Sequence, residues 1–69
     1  MKKSEMLWIA SKYQSKGYSQ EQMKDSDDCY ELSGEEGRKV KDEIADYMQE
    51  YEDIGRVSFY EKYKDFKLY

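Results

Sequence analysis

Between Gly34 and Asp53 the apolar residues recur at every third or fourth position, and no other property of the chain restricts its fold as much. At about 100° per residue, Val40, Ile44, Tyr47, Met48, Tyr51 and Ile54 fall within roughly a third of a helix circumference. This stripe predicts one long amphipathic helix over about Gly34 to Asp53, stopped by Gly55. A helix of this kind has to bury its stripe, so the remaining residues are expected to supply the elements that cover it. The sequence contains no Pro, and nothing in it forbids further helices.

A first helix is expected from about Glu5 to Lys16, with Ser4 as its cap and Gly17 ending it in a left-handed turn. Met6, Ile9, Ala10 and Tyr13 share one face of it, and Trp8 points nearly opposite. Three pairs carry the Ser-x-x-Glu/Gln capping box: Ser19 with Gln22, Ser33 with Glu36, and Ser58 with Glu61. Tyr18 and Met23 flank the first box at hydrophobic-staple spacing. A short second helix over Gln20 to Lys24 follows, then a loop through Asp25-Ser26-Asp27-Asp28; Cys29 to Leu32 is too short to classify. At the C-terminal end, Phe59, Tyr63 and Phe66 with Tyr60 would line one face of a helix capped by Ser58. The alternative is a strand begun by Val57 and Phe59 with a turn near Lys62 to Lys64, which would make the fold α+β; Glu61 interrupts that alternation and favours the helix. The expected fold is therefore all-α, one domain spanning 1–69. Three or four helices should form a small bundle around Val40, Ile44, Met48, Tyr51 and Ile9.

A chain of 69 residues buries a smaller share of its surface than a larger domain does. With 41% charged and 38% apolar residues, disorder is the competing expectation. Eight Tyr, two Phe and one Trp oppose it, because they provide large buriable area at helical spacing. The longest apolar run, Met6 to Ala10, is far too short to span a membrane. It is also too short, and lacks a small-residue cleavage site, for the signal peptide that Met1-Lys2-Lys3 faintly suggests. Cys29 is the single cysteine, which rules out an internal disulfide and suggests a reducing, cytoplasmic setting.

The net charge of −4 conceals a pattern. Residues 1–20 hold four Lys against one Glu. Residues 21–53 hold thirteen acids against four basic residues, and residues 54–69 hold four basic residues against two acids. On the long helix, Glu35, Glu36, Asp42, Glu43, Asp46, Glu50 and Asp53 occupy the flank beside the apolar stripe, with Lys39 the only cation among them. Arg38, Lys41 and Gln49 sit on the other flank. Like charges spaced i,i+4, as in Asp42/Asp46 and Asp46/Glu50, cost a few tenths of a kcal/mol each, which interleaved lysines would avoid. One explanation is a solvated face. The other is a surface for a positively charged partner, since acids about 5–6 Å apart along a helix approximate the spacing of phosphates on a nucleic-acid strand.

Catalytic chemistry is poorly supplied. There is no His, and hence neither the commonest general base nor the commonest metal ligand. Cys29 follows a run of aspartates that disfavours its thiolate. Asp25, Asp27, Asp28 and Glu31 suggest a calcium loop, but Cys29 stands where an oxygen ligand belongs, and the required Gly and distal Glu are missing. No Gly-rich phosphate loop occurs. Neither an enzyme, a cofactor nor a metal is expected.

Lys16-Gly17-Tyr18-Ser19-Gln20-Glu21-Gln22 resembles the start of the second helix in some helix-turn-helix regulators. The resemblance covers about twenty residues and implies a DNA-binding transcription regulator. A reader of that type then needs a basic recognition helix, whereas here the Asp25–Asp28 segment and the most acidic helix follow.

These observations set three expectations. The first is a non-enzymatic inhibitor whose acid row, with Trp8, Tyr47 and Tyr51 as aromatic anchors, occupies a basic, nucleic-acid-binding surface of a target protein. In general character, without a shared motif, it would be like the small acidic proteins that bacteriophages direct against restriction and CRISPR nucleases. The second is an adaptor or regulatory subunit binding through an aromatic helical face, and the third is the helix-turn-helix-like regulator. The alternative for Trp8 is packing against the C-terminal aromatic segment, and association between copies stays open.

Overall fold

The computed structural model describes residues 2–26 and 34–66. Four α-helices are found in it: α1 (Lys3–Ser15), α2 (Gln20–Lys24), α3 (Gly34–Ile54) and α4 (Arg56–Lys62). A 3-10 turn over Lys64–Phe66 follows, and no strand occurs among the described residues. The fold is the expected small helical bundle built on one long helix.

Helix α1 begins earlier than Ser4 would place it. The carbonyl of Lys2 accepts from the amides of Glu5 and Met6, both at 3.1 Å, and this starts the ladder without any side-chain cap. Its end is as the sequence implied. Gly17 adopts φ 78°, a conformation costly for any residue with a Cβ. Its amide then reaches Gln14 O at 3.1 Å, while the amide of Tyr18 reaches Tyr13 O at 3.0 Å. The ring of Tyr18 lies 5.1 Å from that of Tyr13, the apolar contact that accompanies this type of helix end.

The Ser19 capping box forms in full: the Gln22 amide donates to Ser19 Oγ at 3.1 Å, and the Ser19 amide donates to Gln22 Oε1 at 2.8 Å. It opens α2, which carries the fully buried Met23. Gln20 touches Gln49 while Lys24 reaches back to Asp42, so α2 runs against the direction of α3.

At about 1.5 Å per residue, the 21 residues of α3 extend roughly 30 Å, close to the longest dimension of the fold, 33 Å. Its stripe packs two clusters. Ile44, Ala45 and Met48 join Met6, Ile9, Ala10, Tyr13 and Met23, with Val40 partly buried beside them. Tyr51 joins Leu7, Phe59 and Tyr63, with Tyr60 and Phe66 at the edge. Tyr47 touches both. Ile54 departs from the expected stripe: it lies past the covered length of α3 and is 40% exposed.

The C-terminal segment is helical, and the strand alternative is overturned. Val57, which would have opened the strand, is 82% exposed on α4. The Ser58/Glu61 box does not form either, because Gly55 already starts the helix. Its amide donates to Tyr51 O at 2.9 Å, and its carbonyl accepts from the Phe59 amide at 2.9 Å. One residue, at φ 87°, thus closes α3 and opens α4, and Ser58 falls inside a helix that needs no side-chain cap. The Ser33/Glu36 box, most of the acidic loop and Cys29 lie outside the described residues. Among the described residues no helix is long and apolar enough to cross a membrane.

Candidate interaction surface

The acid flank of α3 stays uncovered because α1, α2 and α4 all pack on the apolar stripe. Glu35, Glu36, Asp42, Glu43, Asp46 and Asp53 are exposed, and Glu50 is half-buried. The sequence treats these seven as one row, but the structure divides them. Asp42 is paired with Lys24 of α2 at 3.0 Å. Asp53 accepts from Gln49 Nε2 at 3.1 Å, and Glu43 accepts from the Tyr47 hydroxyl at 3.1 Å. Glu35, Glu36 and Asp46 make no side-chain hydrogen bond or ion pair among the described residues.

Glu50 is the most constrained. Its carboxylate receives the Lys62 ammonium and, on both oxygens, the Tyr63 hydroxyl. Burial alone would raise its carboxyl. The hydrogen bonds from Lys62 and Tyr63, with the charges of Lys62 and Lys3, outweigh burial and hold it below the ordinary carboxylate value. The hydrogen bond to Glu50 in turn holds Lys62 above its usual value. Glu50 is therefore first a fastener between α3 and α4. No local pattern signals this. Lys62 comes beside Glu50 only because the chain reverses at Gly55, which was the one available clue.

The three aromatic candidates separate clearly. Tyr51, expected both in the core and as an anchor, is a core residue: it is buried, and its ring lies 5.1 Å from Phe59. Ser15 Oγ gives its proton to Ser11 O at 2.6 Å, leaving its lone pairs to accept from the Tyr51 hydroxyl at 3.2 Å. Tyr47 is half-buried between the clusters, edge-on to Tyr63 at 5.9 Å. Burial, followed by its hydrogen bond to Glu43 and the nearby carboxylate charges, pushes its hydroxyl up to about 12. Trp8 is 49% exposed and belongs to neither core cluster among the described residues. The Lys12 ammonium sits 4.9 Å from its ring centroid.

Among the described residues, Tyr18, Ile54 and Val57 are the other large apolar residues that remain exposed, and none was singled out from sequence as a surface residue. Among the described residues no group of His, Cys, Asp or Glu is arranged to hold a metal ion. Comparison with protein-family models, with curated proteins and with solved structures finds no match.

Proposed function

We propose that the chain is a non-enzymatic inhibitor that occupies the basic, nucleic-acid-binding surface of a target protein, using the acid flank of α3. The observation that carries this reading is the division of labour on that helix. The apolar stripe is consumed by the fold, while Glu35, Glu36 and Asp46 stand exposed with no ion pair among the described residues. Carboxylates so placed keep their full field for a partner, speed its approach and oppose binding of the chain itself to nucleic acid. Restriction or CRISPR nucleases are the type of target this chemistry suits.

The test is a tagged pull-down run in parallel with wild type and the Glu35→Gln/Glu36→Gln/Asp46→Asn variant, followed by competition with duplex DNA. A nucleic-acid-binding protein captured by wild type only, released by salt and displaced by DNA, supports the reading. Capture that is indifferent to the three substitutions overturns it. The adaptor reading would then lead, because Trp8 is a half-exposed aromatic on an otherwise polar helix face, the kind of residue that anchors interfaces.

A further inference from the structure

We infer that Lys62 is an autoinhibitory occupant of the acid flank, a cation of the chain's own that an arginine or lysine of the basic partner displaces from Glu50. The inference rests on the acid-flank reading of function and adds to it how the surface is regulated. Two groups hold the Glu50 carboxylate, and they differ in kind. Tyr63 is anchored, with its ring buried 4.9 Å from Phe59 and its hydroxyl on both oxygens. Lys62 lies on the solvent side, with its side chain 57% exposed at the end of a flexible stem. Were the ammonium to swing away, Tyr63 would still hold the carboxylate in place, and Lys3 would still favour its charge.

An incoming cation would thus find an ionised, oriented acid and would exchange one ion pair for another. The arm that carries Lys62 need not move, since Phe59 and Tyr63 keep it in the core. Lys24 covers Asp42 in the same manner from α2, although there both side chains are more exposed than Glu50. Two elements therefore each place one lysine on the flank, which indicates the charge and reach of what the flank accepts.

The experiment measures binding of a fluorescent nona-arginine peptide by anisotropy, at low and physiological salt. The proteins are wild type, Lys62→Gln, Lys62→Arg and Lys64→Gln. Lys64 pairs with Glu61, so its variant removes the same charge from the same arm without touching Glu50. Lys62→Gln should bind about two- to fivefold tighter, the factor that release of one exposed ion pair corresponds to. Lys62→Arg should return to the wild-type value, and Lys64→Gln should gain less. Equal gains in Lys62→Gln and Lys64→Gln would mean that only overall charge matters, and would overturn the inference while leaving the acid flank in place. Peptide binding that is absent in wild type, or unchanged by Glu35→Gln/Glu36→Gln/Asp46→Asn, would remove the acid-flank reading and this inference with it. A circular dichroism melt of each variant checks that the helices persist.

Discussion

The hydroxyl of Tyr63 lies 3.0 and 2.9 Å from the two carboxylate oxygens of Glu50, so one phenol holds both arms of an acid on another helix. Tyr63→Phe keeps the ring among Leu7, Tyr51 and Phe59 and removes only this contact. It should cost about 1.5–3 kcal/mol, the usual contribution of a hydrogen bond to a charged group. The urea midpoint should fall with an unchanged slope.

Glu50 also sets a dependence on acid. Its carboxyl lies below the ordinary value when folded, so ionised Glu50 favours the fold at neutral pH. That contribution is lost as pH falls through the carboxylate range, about 4 and below, where Lys62, Tyr63 and Lys3 face an uncharged group. The Glu50→Gln variant should be less stable than wild type at neutral pH and should lose less on acidification. Urea midpoints for both proteins at neutral and acid pH give the two slopes, and parallel slopes would contradict the assignment.

Tyr47 sets the corresponding dependence on alkali. Its hydroxyl is raised to about 12, so its contribution is complete below the ordinary tyrosine value, about 10, and disappears as pH climbs from there towards the folded value. Phenolate absorbance should show Tyr47 ionising late. Tyr47→Phe should flatten the alkaline loss of stability.

Trp8 and Phe59 should respond to truncation with losses of very different size. Trp8→Ala removes a half-exposed ring and one cation–π contact, and is expected to cost less than about 1 kcal/mol. Phe59→Ala empties a fully buried site and should cost about 3–5 kcal/mol. Denaturant titration separates the two. A large loss for Trp8→Ala would mean that the residue is packed.

Gly55→Ala tests the joint between α3 and α4. Nothing lies within 4 Å of the position a Cβ would take, so only backbone strain at φ 87° opposes it. That backbone region is almost confined to glycine, so a loss of about 1–3 kcal/mol is expected, without a change in helix content by circular dichroism.

Much of the fold was legible because it is local. The α3 stripe, the Ser19 box and the Gly17 stop each rest on residues within a few positions of one another. What was missed is long-range. Leu7 is not on the face that Met6, Ile9, Ala10 and Tyr13 share, yet it is fully buried because α4 folds across and gives α1 a second cluster to cover. Ser58 has the composition of a cap, but the reversal at Gly55 started the helix first. Tyr51 lies on the stripe and also borders the acids on a helical projection, and it is the return of Phe59 and Tyr60 that makes it core and not surface. The acid row was visible as composition and azimuth. Its division into paired and unpaired members depends on Lys24 and Lys62, which no spacing rule connects to Asp42 and Glu50.

Residues 52–58, which run through the joint, are all exposed, while Tyr51 and Phe59 on either side are buried. The side chains in this stretch are thus free to vary, apart from the glycine. The number of residues is not. One added residue would rotate everything after it by about 100° and advance it by about 1.5 Å. Phe59 and Tyr63 would then turn out of the cluster, and Lys62 would leave Glu50. The distance along the chain from Tyr51 to Phe59 works as a ruler, indifferent to most of what is written on it and sensitive to its length.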